Sequence, residues 1–153
     1  MATPQLMTVS TWSGYARTVA DPAGPQHDFR QDVGDQELGA AVLDCLAHSR
    51  FLDTPELQDE LFHPDAAARS YAAWIERLMR FCGCKTKRAL FKDMLSCSIE
   101  QEDGTITIRP SRHEKLEAWS AEGFTDADNV VIRADAPPGE IGSALREAFR
   151  RCV

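Results

Sequence analysis

The 153-residue sequence lacks the features of several common functional classes. It has no run of about 20 apolar residues, the length that a helix needs to cross a bilayer. Its N-terminal residues show no basic stretch followed by an apolar run, so a secretory signal peptide is not expected. We therefore expect a cytoplasmic location. The nine glycines are spread singly and form neither a Walker pattern nor a dinucleotide fingerprint. Nucleotide-dependent enzymes are therefore poorly supported.

Positive charge is in deficit, because 17 Lys and Arg stand against 24 Asp and Glu, a net charge of −7. A protein that binds nucleic acid through its overall charge needs a basic surface, so this class is disfavoured. The balance fits an acidic enzyme or a protein that binds a basic partner. The length suits one domain over residues 1–153 that buries roughly 70% of its unfolded surface. We expect residues 1–10 to form a flexible N-terminus of that domain.

The five cysteines do not form the paired knuckles of a structural zinc site. Cys82 and Cys84 can supply two thiolates, but such a site needs four ligands and no second pair has a suitable spacing. Cys82 also fits the apolar face of a predicted helix. We therefore expect reduced, largely buried thiols, no bound metal and no cofactor.

Apolar residues at helical spacing predict three substantial helices. These helices cover 35–49, 65–81 and a segment that begins at Pro137-Pro138, with shorter helical turns within 54–64 and 85–95. Asp35 is placed to cap the first helix, and Gly83 is placed to end the second. The apolar face predicted for the second helix comprises Ala67, Tyr71, Trp74, Ile75, Leu78 and Cys82.

Alternating residues predict strands on both sides of Asp103-Gly104, a pair that favours the type I′ hairpin turn. The two strands cover 96–102 and 105–109. Further strands are expected within 7–20, 113–120 and 129–133, whereas 21–34 has the prolines and glycines of a loop. The sum is a single α+β domain in which about four helices pack on a small, mostly antiparallel sheet.

The segment from Ser111 to Glu114 places a hydroxyl, a guanidinium, an imidazole and a carboxylate in four consecutive residues. A small hydrolase that uses His113 with a carboxylate is therefore one hypothesis. Adjacent residues on an extended chain point to opposite sides, however, and no nucleophile-elbow glycines are present. The alternative interpretation is a polar turn in which Arg112 or His113 satisfies backbone carbonyls or an acid.

Charge is distributed unevenly along the chain. One acid-only stretch comprises Asp53, Glu56, Asp59, Glu60 and Asp65, and a second acidic group comprises Glu100, Glu102 and Asp103 at the hairpin. Between them lie six bases without an acid, namely Arg77, Arg80, Lys85, Lys87, Arg88 and Lys92. These blocks either pair with one another as solvated faces or present an acidic surface to a cationic partner.

Six segments of the chain carry a resemblance to a known family. They read GYARTVAD, ELGAAVLDCLAHSRF, YAAWIERLM, KTKRALFKDMLSCSIE, ITIRPSRHEKLEAWS and VVIRADAPPGEIGSALREAF, in chain order from Gly14 to Phe149. In order and spacing they resemble the immunity proteins of contact-dependent growth inhibition systems, the CdiI family. Trp119 and the pair Arg112-His113 are the most specific residues of this pattern.

The resemblance implies a non-enzymatic protein that binds and neutralises the C-terminal toxin domain of a CdiA exoprotein delivered by neighbouring bacteria. It implies a one-to-one complex, a toxin that is a basic nuclease, and no direct contact with nucleic acid or membrane. An acidic surface suits such a toxin because a nuclease attracts phosphate. We therefore predict that the partner-binding residues are the exposed acids Glu56, Asp59, Glu60, Glu100, Glu102 and Asp103, with no catalytic or metal-binding residues.

Overall fold

The computed structural model describes residues 1–14, 18–54 and 61–153. Over these residues the chain has four α-helices, nine strands and one short 3-10 helix at Asp126–Asp128. The helices are α1 (Asp35–Ala47), α2 (Pro64–Cys82), α3 (Lys87–Phe91) and α4 (Pro138–Arg151). The strands are β1 (Met7–Ser10), β2 (Trp12–Gly14), β3 (Thr18–Ala20), β4 (Gln26–Phe29), β5 (Cys97–Glu102), β6 (Thr105–Pro110), β7 (Arg112–Lys115), β8 (Ala118–Ser120) and β9 (Val130–Arg133).

The predicted α+β class and its antiparallel character are confirmed, but the described strands form several small sheets. The largest has the order β5-β6-β9, and β1-β4, β2-β3 and β7-β8 form two-stranded ribbons. The segment expected to add one strand within 113–120 instead folds back on itself as the β7-β8 hairpin. The loop predicted over 21–34 contains β4, whose sequence Gln-His-Asp-Phe lacks the alternation that marks a half-buried strand.

The main core lies between α1, α4 and the inner face of the β5-β6-β9 sheet. Its fully buried side chains include Leu38, Val42, Ile106, Ile108 and Ile141. The two predicted helix faces and the alternation of β6 supply these residues, so this part of the prediction is confirmed. Helix α4 covers the inner sheet face. The opposite face carries Glu100, Thr107 and Arg133, with the exposed Val131 among them.

The start of α1 differs from the prediction. The capping position is Gly34, not Asp35, and no side chain caps the helix there. Asp35 is the first helical residue, and its Oδ1 accepts a hydrogen bond from Arg146 Nε on α4 at 2.7 Å. A carboxylate in the first turn is still favourable for the helix dipole, but Asp35 mainly joins two helices.

Helix α2 ends as predicted, because Gly83 adopts the left-handed conformation with φ 71°. Its predicted apolar face is only partly correct. Ile75 and Leu78 are buried, whereas Ala67 and Tyr71 are exposed. The C-terminal half of α2 packs in a second core cluster with Leu6, Leu90, Phe91 and Met94. The spacing of apolar residues within the helix cannot show that only half of its apolar face packs against the rest of the chain.

The N-terminal residues, for which the sequence suggested flexibility, pack onto the rest of the chain. Ala2 and Leu95 exchange two backbone hydrogen bonds, at 2.9 and 2.8 Å. Leu6 is fully buried in the second core cluster. Among the described residues no helix has the length and apolar character needed to cross a membrane.

Candidate partner-binding surface

The hairpin between β5 and β6 presents one of the two predicted acidic groups. Asp103 has φ 47° and Gly104 has φ 74°, which confirms the expected turn with two left-handed residues. Ala134, the residue after β9, supports the turn, since its backbone N–H donates to the carbonyl oxygen of Gly104 at 2.8 Å. The structure therefore brings Glu100, Glu102 and Asp103, the hairpin-tip acids, to the exposed end of a hydrogen-bonded framework.

The charges of the hairpin-tip acids are unequally compensated. Glu100 forms an ion pair with Arg109 of the neighbouring strand. Neither Glu102 nor Asp103 has an ion pair within the part of the chain that the structure describes, and both are exposed. The net negative potential of the hairpin therefore comes mainly from Glu102 and Asp103, while the Glu100 charge is partly offset.

The acid-only stretch from Asp53 to Asp65 lies largely outside the described residues. Glu56, Asp59 and Glu60 lie in the interval between 54 and 61, outside the described residues. Asp53, which opens the acid-only stretch, is exposed. Their role in partner binding remains a prediction from the sequence.

Most of the six bases between Arg77 and Lys92, which we call the basic block, form ion pairs with acids of the same chain. Arg77 Nε lies 2.8 Å from Asp28 Oδ2, and Arg80 Nη2 lies 2.7 Å from Glu76 Oε1. Longer contacts join Lys87 to Glu117 at 3.6 Å and Lys92 to Asp93 at 3.5 Å. Four of the six bases thus form ion pairs within the described residues. Their partners belong to neither of the two acidic groups, so these contacts are not the pairing of the charge blocks with one another that the sequence left open.

His113 is held by backbone and aromatic contacts. Its ring stacks on Trp119 with centroids 4.9 Å apart, and Nε2 donates to the carbonyl oxygen of Leu116 at 3.2 Å. The neighbouring Glu114 accepts a hydrogen bond from Ser120 Oγ at 2.8 Å. No carboxylate of the described residues contacts the His113 ring.

The remaining members of this cluster point to other parts of the fold. Ser111 Oγ donates to the carbonyl oxygen of Ser96 at 2.7 Å, and Trp119 Nε1 donates to Met94 O at 2.8 Å. The cluster therefore joins the β7-β8 hairpin to the second core, as the polar-turn interpretation expects. His113 Nε2 and Ser111 Oγ each bond a backbone carbonyl oxygen, so the described contacts do not assemble a Ser-His pair or a His-carboxylate pair.

The cysteines differ from the expectation that all five are reduced. Cys82 and Cys84 form a disulfide, because Gly83 turns the chain back at the end of α2. Cys45, Cys97 and Cys152 are free, with the last two sulfurs 3.6 Å apart. The hydrogen bond from Cys97, together with backbone contacts, lowers the pKa of Cys152 to about 7. Over the described residues no group of three or more His, Cys, Asp or Glu is arranged to hold a metal.

Two features of the structure were not predicted from the sequence: a pair of exposed aromatic side chains and a buried carboxylate. Trp12 is 51% exposed and Phe51 is 67% exposed. Near them, the fully buried carboxylate of Asp21 accepts hydrogen bonds from Ser13 and Arg50. No local signal in the sequence shows that a tryptophan on a short strand faces solvent, or that residues 21 and 50 meet.

Comparisons with known proteins give a consistent result. The family model of the CDI immunity proteins, CdiI, matches residues 1–152. Immunity protein CdiI-YPIII of Yersinia pseudotuberculosis serotype O:3 (strain YPIII) is 44% identical over 155 residues, covering 94% of this chain and 88% of that protein.

Two solved structures share the fold over nearly the whole chain. A chain from the CdiA-CT/CdiI toxin and immunity complex of Yersinia pseudotuberculosis is 41% identical, with a TM-score of 0.90 and coverage of 99% of this chain and 94% of that one. The protein of unknown function NMB0488 from Neisseria meningitidis is 40% identical, with a TM-score of 0.89 and coverage of 99% and 92%. The chain belongs to the CDI immunity protein family, as the sequence resemblance predicted.

Proposed function

We propose that this protein binds and neutralises the C-terminal toxin domain of a cognate CdiA exoprotein, and so protects the bacterium that makes both. The observation that carries this proposal is the near-complete structural match to a chain from a CdiA-CT/CdiI complex. Protection against a toxin that acts inside the cell places the immunity protein in the cytoplasm. It acts by forming a one-to-one complex and performs no catalysis of its own.

The toxin that best fits the surface is a basic nuclease. A nuclease active site attracts the phosphates of nucleic acid, so its surroundings carry positive potential. The immunity protein carries a net charge of −7, and Glu102 and Asp103 add uncompensated charge at an exposed turn. Opposite potentials raise the association rate and disfavour wrong partners.

We place the contact with the toxin at the acidic residues. Glu102 and Asp103 contribute most, and Glu100 contributes less because Arg109 already pairs with it. The hydrogen bond between Ala134 and Gly104 holds the turn before binding, which limits the entropy lost on association. Glu56, Asp59 and Glu60 complete the proposed contact on the basis of the sequence.

The first experiment removes charge from the hairpin without changing its shape. In the double variant Glu102→Gln/Asp103→Asn, the Asn-Gly pair preserves the type I′ turn. We expect its affinity for the purified cognate toxin domain to fall about three- to tenfold, mainly through a slower association rate. Biolayer interferometry at low salt measures both rate constants. Glu100→Gln is expected to have a smaller effect than either of the two other acids.

The matched control is Glu122→Gln/Asp126→Asn, which removes the same charge from exposed residues in another loop. An equal loss in both double variants would show a general effect of net charge and would contradict docking at the hairpin. The wider proposal is tested by co-expression in cells that produce the toxin domain. If the immunity protein neither restores growth nor copurifies with that domain, the proposed function is wrong.

A further inference from the structure

Trp12 and Phe51 lie on one face of a small β structure. The N–H of Gly14 donates to Arg50 O at 3.0 Å, and the N–H of Leu52 donates to Gly14 O at 3.0 Å, so Phe51 pairs with Gly14 in parallel. Paired residues share a face, and Trp12 shares the face of Gly14 by the alternation of β2. The two aromatic side chains therefore lie on the same side of the β structure, where Gly14 has no side chain.

The backbone beneath this face is fixed by a buried polar network. Arg50 donates two hydrogen bonds to the carboxylate of Asp21, at 2.7 and 3.0 Å, and Ser13 Oγ donates a third at 2.7 Å. The N–H of Arg50 in turn donates to Ser13 Oγ at 2.9 Å. Because Ser13 separates Trp12 from Gly14 and Arg50 precedes Phe51, these bonds position the backbone of both aromatic residues.

Exposed aromatic side chains on a fixed backbone have the character of binding hot spots. Aromatic residues are enriched where interfaces contribute most affinity, and a fixed backbone reduces the entropy lost on binding. Exposure of 51% for Trp12 and 67% for Phe51 leaves large apolar areas in water in the isolated chain. A partner that covers them recovers the corresponding hydrophobic free energy.

We propose that Trp12 and Phe51, which we call the aromatic face, insert into an apolar depression with a cationic rim on the cognate toxin domain. This inference rests on the proposed function and adds an apolar contact to it. The alternative occupant is a second copy of the chain. The exposed Asp53 lies two residues after Phe51, and each copy carries −7, so like charges oppose pairing of two copies whereas a cationic partner is attracted.

The test compares Trp12→Ala, Phe51→Ala and the double variant with the wild type in binding to the purified toxin domain. Each single substitution is expected to weaken the affinity about tenfold or more, mainly through faster dissociation. Leu116→Ala is the matched control, since Leu116 is 40% exposed on the separate β7-β8 hairpin. Its affinity is expected to equal that of the wild type.

A second measurement does not depend on the folding of variants. Hydroxyl-radical footprinting of the wild-type complex is expected to show protection of Trp12 and Phe51 relative to the free protein. Unchanged labelling, or a double variant that binds like the wild type, would overturn this inference but leave the proposed function intact. Dimerisation of the wild type that the double variant loses would assign the face to a second copy instead. Failure of the wild type to bind any toxin domain would overturn both proposals.

Discussion

At the scale of single residues, Asp21 shows how one buried charge can organise a surface. Its carboxylate is fully buried, which by itself opposes ionisation. Hydrogen bonds from Arg50, Ser13 and the backbone N–H of Ala23 outweigh this effect and lower the pKa of Asp21 below its usual value. The folded state therefore stabilises the ionised form of Asp21 more than the unfolded state does. Asp21 contributes stability at any pH at which it is ionised.

We predict that Asp21→Asn destabilises the protein at neutral pH by about 2 to 3 kcal/mol, because it leaves Arg50 and Ser13 without their charged acceptor. Urea unfolding followed by circular dichroism measures the difference. Asp93→Asn, which removes an exposed carboxylate 3.5 Å from Lys92, is the control and is expected to change stability by less than about 0.5 kcal/mol.

The same residue predicts a dependence on pH. Since the pKa of Asp21 is lower in the folded state, its contribution is complete above the unfolded value near 3.8 and is lost as the pH falls through the folded value. The stability difference between the wild type and Asp21→Asn should therefore be constant near neutrality and shrink below about pH 4. A difference that stays constant at acidic pH would contradict the assignment.

At the scale of elements, α1 and α4 approach so closely that two glycines are required. A Cβ atom at Gly39 would lie 1.7 Å from Pro138 O, and one at Gly142 would lie 2.0 Å from Asp35 O. Both obstacles are backbone atoms, so neither can rotate away. The glycines lie in helix interiors, where propensity alone would favour alanine.

We predict that Gly39→Ala and Gly142→Ala each destabilise the fold by at least about 2 to 3 kcal/mol, because the added methyl group forces α1 and α4 apart. Differential scanning calorimetry or urea unfolding measures the loss. Gly139→Ala in α4 is the control, since its nearest neighbour is the flexible Gln36 side chain at 3.4 Å, and it is expected to be neutral or slightly stabilising. Equal tolerance of all three substitutions would show that the helices can separate without cost.

The elements that sequence predicted correctly are those in which local and tertiary preferences agree. The faces of α1 and α4, the left-handed Gly83 and the Asp103-Gly104 turn are all set by a few neighbouring residues. The strand β4 and the split of 113–120 into two strands depend on distant partners. The same is true of Asp35, which sequence placed as a cap and the fold uses to bind Arg146.

At the scale of the whole molecule, the net charge indicates a binding surface only when the positions of the individual charged residues are known. Four bases of the block over 77–92 are paired within the chain, while Glu102 and Asp103 remain exposed at a supported turn. The acids of the candidate site could be proposed from the sequence because they cluster locally, and their contact with a partner stays a prediction. The sequence could not identify the aromatic face, since the pairing of Gly14 with Phe51 joins segments that are distant in the chain.

The two kinds of contact should respond differently to salt. Ionic strength shortens the screening length from about 10 Å at 0.1 M to about 3 Å at 1 M, so attraction between the acids and a cationic toxin weakens. We expect the affinity of the wild type to fall roughly tenfold over this range, and that of Glu102→Gln/Asp103→Asn to fall less. Trp12→Ala should weaken binding by the same factor at every salt concentration, because apolar contact is not screened. Isothermal titration calorimetry along this series measures both slopes, and a wild-type affinity independent of salt would contradict acidic docking while leaving the aromatic contact in place.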